Sequence, residues 1–196
     1  MAETDISVAN QALVRIGGAA ITSFTDGTTE SSVASTLYET YVRGQLALTR
    51  WNWAKKDFSL NKNSDTPLEM WDYGYDVPSD LLVLHRVLYG DRDIEFERFK
   101  DLIYTNQDND ADDVVAIYTY RVDENDWPAD FLLSVVTGLA AQFATSLARD
   151  DKMAAVLSEE GAVLFAQSRR NDAQGQTAKR ANISRLTGAR LRGARG

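Results

Sequence analysis

His85 is the only histidine of the 196-residue chain, and it stands among Leu82, Val83, Leu84, Arg86, Val87 and Leu88. An imidazole can act as a general base. Here no serine or carboxylate stands at a spacing that makes a triad readable, so the apolar setting predicts a structural histidine on a strand. The densest carboxylates are Asp108, Asp110, Asp112 and Asp113, a set that would suit calcium or magnesium. A calcium loop of the EF-hand kind needs a central glycine and a later bidentate glutamate; neither is present, which predicts a solvated loop tip between two strands. Glu159 and Glu160 are neighbours on a predicted helix and point in different directions, so they cannot flank one bond. Gly17-Gly18 follows a helix and has no lysine in the Walker frame, which excludes a phosphate loop. The chain has no cysteine, hence no disulfide framework, zinc ribbon or thiol nucleophile, in keeping with a reducing compartment or assembly inside a cell. The residues therefore point to no enzyme, no metal site and no cofactor.

Charge carries more information than any such constellation. Residues 169–196 hold eight basic side chains, Arg169, Arg170, Lys179, Arg180, Arg185, Arg190, Arg192 and Arg195, against one acid. Removing that +7 from the formal net charge of -8 leaves -15 on residues 1–168. The basic stretch is punctuated by Gly175, Gly188, Gly193 and Gly196 and lacks aromatic residues, so it offers no stacking platform for single-stranded nucleic acid. Three readings remain: a grip on phosphate, docking on an acidic protein surface through bidentate arginine–carboxylate pairs, or a disordered solubilising terminus. Residues 177–191 carry Ala181, Ile183, Leu186, Ala189 and Leu191, a thin apolar set that allows a partial helix but not one stable alone.

The elements that must position these groups follow from apolar spacing. Ile6, Ala9, Leu13 and Ile16 share a helical face over residues 5–17, with Thr4 or Asp5 as cap and Gly17-Gly18 as stop. Val33, Leu37, Tyr41 and Leu48 predict a second helix over 30–50, closed by Trp51, Asn52 and Trp53. Residues 51–122 then change to short aromatic segments and turns, which predicts a small antiparallel β insertion. Trp51, Trp53, Trp71, Tyr73 and Tyr75 are its aromatic cluster, suited to core or interface, and Ile94, Phe96 and Phe99 are candidates for burial. Pro128 at the first helical position and the stripe Leu132, Val135, Val136, Leu139, Phe143 and Leu147 predict a third helix over 128–149. Asp150 and Asp151 would cap a fourth over 151–170, with Met153, Val156, Leu157, Leu164 and Phe165 apolar and Glu159 and Glu160 on the outer face. The expected fold is mainly α: an antiparallel four-helix bundle with a small antiparallel β insertion and an extended C-terminal arm, divided into a body at 1–170 and a basic arm at 171–196.

Composition bounds the rest. A hydrophobic share of 44% supports a real core, and the length suits one domain. Residues 1–5 show neither a basic leader nor an apolar signal core, so secretion is not expected. No stretch is read as approaching the roughly 18 to 20 apolar residues of a membrane span, and a soluble protein without membrane contact is expected. An acidic body repels phosphate over most of its surface, which suits a wall along which DNA slides without sticking.

Several segments, taken in order, resemble the phage head-to-tail adaptor family, which includes tail tubular protein A and the tail accessory factor of short-tailed phages. They are the helix with Asn10 and Gly17, the helix closing on Arg50-Trp51-Asn52-Trp53, Pro78-Ser79-Asp80, the β stretch ending in Tyr118, and Trp127-Pro128 with Phe131 opening an Ala-rich helix. The resemblance covers roughly residues 6–170. It implies a virion protein that forms a ring of identical subunits, typically dodecameric, beneath the portal protein. Such a ring extends the DNA channel, passes double-stranded DNA without reading it, and presents a platform to a tail nozzle or tail tube protein. It implies assembly in the host cytoplasm and a C-terminal segment that docks on portal or on a neighbouring subunit. The alternative is a nucleic-acid-binding accessory protein that uses the basic arm. Between these, the missing stacking residues and the acidic body favour a protein-docking arm.

Overall fold

The protein is described as a computed structural model covering residues 3–64 and 70–175. Four α-helices form at Asp5–Arg15 (α1), Thr29–Ala47 (α2), Ala129–Phe143 (α3) and Asp151–Gln174 (α4). Their starts follow capping chemistry. The Thr4 and Thr28 side chains accept from the backbone N–H of Ser7 and Ser31, both at 3.1 Å, and Asp150 Oδ1 accepts from those of Lys152 and Met153. Helix α2 stops at Ala47 rather than near residue 50, and Trp51 turns inward from the following loop. Helix α3 ends in one turn of π-helix at Ala144–Ala148, and Arg149 adopts a left-handed conformation (φ 51°) before α4 begins.

Seven strands lie between α2 and α3: Lys55–Ser59 (β1), Tyr73–Asp76 (β2), Leu81–Tyr89 (β3), Arg92–Asp93 (β4), Glu97–Phe99 (β5), Leu102–Thr105 (β6) and Val114–Tyr120 (β7). They form two antiparallel sheets, ordered β1-β7-β3-β4 and β2-β6-β5. This corrects the expected fold class. With 46% helix and 21% strand the protein is an α+β fold, not a mainly α four-helix bundle carrying a small insertion. The physical reason is that the sheets bury a core of their own, built from Leu60, Tyr75, Leu81, Val87, Ile103, Val114, Ala116 and Tyr118. Phe99, expected to be buried, is 46% exposed on the short strand β5, and Met70 is 79% exposed.

The helices do not form a symmetric bundle either. Helix α3 is central and packs against α1, α2 and α4. Its segment Ala129–Ala148 has mean hydropathy 1.6, long and apolar enough by length and composition to cross a membrane, a property the sequence reading did not assign to any stretch. That apolar surface is instead covered by neighbouring helices, with 61% of the segment buried in the protein. The α3–α4 crossing is tight because two glycines meet there: a Cβ on Gly161 would lie 3.2 Å from Gly138 Cα, and one on Gly138 would overlap the Tyr41 hydroxyl.

Gly161→Ala should therefore lower the denaturation midpoint. A gain of about 1 kcal/mol in helix propensity is outweighed by overpacking worth about 1–3 kcal/mol. Gly44→Ala, at an exposed α2 position with nothing within 4 Å of the added Cβ, should raise it by up to about 1 kcal/mol. Urea titration of both variants checks the pair.

Candidate functional site

The last turns of α4 are fastened to the body at one point. The Asn52 backbone N–H donates to both carboxylate oxygens of Asp172 (2.9 and 3.0 Å), and Asn52 Nδ2 donates to the Asp172 carbonyl at 2.9 Å. Beside it, Asn171 Nδ2 donates to Asp130 Oδ2 at 2.9 Å. An acid in the last turn opposes the helix macrodipole, so hydrogen bonding to Asn52 is what offsets its cost there. Asn52 itself is placed by Trp51, fully buried, whose ring meets Phe131 at 5.0 Å, Phe165 at 5.4 Å and Trp53 at 5.7 Å. The helix thus runs past residue 170, and residues 171–174 belong to the ordered body rather than to a separate arm.

Next to this clamp lies an open groove of about 1080 Å³ between the outer face of the four-stranded sheet and the end of α4. Leu88, Val115 and Ile117, all partly exposed, form its floor. Around them stand Arg50, Lys55, Lys56, Arg86 and Arg169, with Asp57, Asp91 and Asp172 in the walls. Lys56 Nζ donates to Asp80 Oδ2 at 2.6 Å, and Arg86 forms a two-point pair with Asp93 at 2.5 and 2.6 Å. Arg50, Lys55 and Arg169 make no ion pair among the described residues. Positive potential at this end of the sheet is also felt by His85. Burial first, then Arg50 and Lys55, hold its imidazole below the ordinary 6.5. Its Nε2 lies 2.7 Å from the Thr119 hydroxyl, which explains why Thr119 is buried against the alternation of β7.

Asp80 secures the opposite edge. The Pro78 carbonyl accepts from the Leu81 N–H in a turn that brings the Asp80 carboxylate to Lys56 and to the buried Tyr118 hydroxyl, 2.8 Å away. Burial raises the Asp80 carboxyl, but the two donors prevail and hold it below the usual range, while burial and the facing carboxylate push the Tyr118 phenol up.

The residues singled out from sequence separate into three groups. Asn10 and Gly17 are structural: Asn10 closes a two-bond ring with the Ile21 backbone (2.8 and 2.9 Å), and Gly17 takes φ +72° at the end of α1. Trp51, Trp53, Trp127, Pro128 and Phe131 gather at the junction of sheet and helices, where Trp127 Nε1 donates to the Val122 carbonyl at 2.9 Å and its ring meets Phe131 at 5.2 Å. Arg169 and Arg170 are exposed on α4, whereas Lys179, Arg180, Arg185, Arg190, Arg192 and Arg195 lie outside the described residues, as does the partial helix expected over 177–191. Asp108 pairs with Lys62 at 2.9 Å, and no group of three or more metal-ligating side chains is assembled among the described residues. The sequence does not group Arg50, Lys55, Lys56 and Arg86 as one site, because their charge is outweighed in the net -15 of residues 1–168. The adjacent Lys55-Lys56 was the one local signal; the rest meet only through strand pairing.

No protein-family model and no curated protein matches the chain, so the site stands on its geometry. Asp172→Ala should destabilise the fold by about 2 kcal/mol, the scale of hydrogen bonds to a charged acceptor, read as a lower urea midpoint. His85 predicts a pH dependence. The folded protein binds the imidazole proton less readily than the unfolded chain, so its contribution is complete above about 6.5 and is lost as pH falls through the window below it. His85→Gln should flatten the decline in melting temperature between about pH 7 and pH 5.

Proposed function

We propose that this chain is a structural subunit of a phage virion, a head-to-tail adaptor that assembles as a ring beneath the portal, lengthens the DNA channel and carries the tail nozzle or tail tube. The observation that supports it most directly is the Asp172–Asn52 clamp, which roots the basic C-terminal segment at a defined point on an otherwise acidic body. A segment held at its base and rich in arginine is suited to reach an acidic surface on portal or on a neighbouring subunit, and repetition around a ring multiplies weak contacts. Such a role uses surfaces and requires neither a catalytic group nor a cofactor. The negative charge of residues 1–168 suits a channel wall that phosphate does not adhere to.

The full chain should sediment with portal, and a chain ending at Gly175, which keeps the clamp, should bind it at least about tenfold more weakly. Undiminished binding would exclude the arm as the docking element. The cations Arg50, Lys55 and Arg169 in the groove favour one competing reading, a nucleic-acid-binding accessory protein. That reading requires a DNA mobility shift at about 50 mM salt that disappears at about 200 mM.

A further inference from the structure

The groove on the sheet is an unusual place in an acidic chain: three cations without ion pairs among the described residues, Arg50, Lys55 and Arg169, surround an apolar floor of Leu88, Val115 and Ile117. An occupant that complements it must carry acids around an apolar centre. A phosphate backbone has no such centre.

The outer face of α4 has the required pattern. Val156 and Val163 are 66% and 62% exposed and stand two helical turns apart, with Glu159 and Glu160 flanking their line on opposite sides. The only residues of this 24-residue helix that are fully buried are Gly161 and Ser168, on the side turned to α3; among the described residues nothing covers the two valines, and Glu160 makes one exposed contact, with Arg15 of α1 at 3.5 Å, which a second copy's cations would compete for. The valine face cannot reach the groove of its own copy. Val156 and Arg169 lie on one continuous helix, about 20 Å apart at 1.5 Å per residue.

We propose that the groove of one copy receives the Val156–Glu159–Glu160–Val163 face of α4 from a second copy. The floor meets the valines, and Arg50, Lys55 and Arg169 meet the glutamates. Two different surfaces are joined, so the contact is head-to-tail and leaves a free groove and a free helix face at the two ends of every pair, the condition for a ring or an open filament. The proposal names the lateral contact of the adaptor ring and rests on that reading for the closed assembly, though not for the contact itself.

Because the chain has no cysteine, the contact can be trapped in the full-length protein. Val163→Cys and Ile117→Cys proteins, mixed and oxidised, should form the mixed disulfide dimer about tenfold faster than either forms a dimer alone, through raised effective concentration. Equal rates, or faster dimerisation of Val163→Cys with itself, would overturn the contact. As a second measurement, Arg50→Glu/Lys55→Glu and Glu159→Lys/Glu160→Lys proteins should each lose assembly by sedimentation and recover it on mixing, which a folding defect would not permit. A mixture that stays dissociated where the wild type assembles overturns the contact and leaves the ring reading intact. A wild type that is monomeric alone and on portal, with the trap positive, overturns the ring and leaves the contact. Normal assembly of Arg50→Glu/Lys55→Glu with lost DNA affinity would assign the groove to nucleic acid.

Discussion

The burial of Trp51 between Phe131 and Phe165 is the constraint on which the rest of the architecture depends. The indole is fully buried, donates to the Gln45 carbonyl at 3.3 Å, and joins the exit of α2, the first turn of α3 and the second half of α4 in one aromatic cluster. Edge-to-face ring contacts of this kind add about 0.5–1.5 kcal/mol each beyond their buried area. Trp51 also sets the path of the next residues: Asn52 faces Asp172, and the chain then enters β1 beside β7. One side chain thereby fixes the start of the sheet, the end of α4 and the groove between them.

Two cores meet at this junction. The helical core and the sheet core share Tyr120, which packs against both, and are tied by Arg121, which pairs with Glu39 on α2 and with Glu124 in the short helical turn after β7. Trp127 receives the Arg121 guanidinium over its ring, 5.6 Å from the centroid. The sheets are consequently a wall of the same body, held by rings and ion pairs at the root of α3. This arrangement leaves the outer sheet face and the outer α4 face as surfaces largely uncovered among the described residues.

Charge is organised on two scales. Along the chain, basic residues concentrate after 168 and acids before it. On the folded surface, strand pairing of β1 with β7 and β7 with β3 brings Lys55 and Arg86 to one face, and the end of α4 adds Arg169, which makes a local basic field inside the acidic body. Fields of this kind steer association and fix register more than they add affinity, and the apolar floor supplies the area that affinity needs.

The amino-acid sequence by itself determined the elements whose signals are local. Caps at Thr4 and Asp150 mark helix starts because a side-chain oxygen satisfies an N–H that the helix leaves open, and the stripe from Leu132 to Phe143 marks α3 because helical spacing puts those residues on one side. The β stretch ending in Tyr118 marked β7, and segregation of charge marked the terminus. Tertiary structure alone decided what depends on residues far apart in the chain. The balance of classes became α+β because short, irregular segments such as β2 and β5 gain stability only from their partners, so their weight could not be read from period. The end of α4 was decided by Asn52, 120 positions away from Asp172, and its packing by two glycines that carry no pattern of their own. The groove, assembled from residues between Thr49 and Ala173, exists only after two strand pairings and one helix clamp have closed, because charge acts through space and the sequence records it only along the chain.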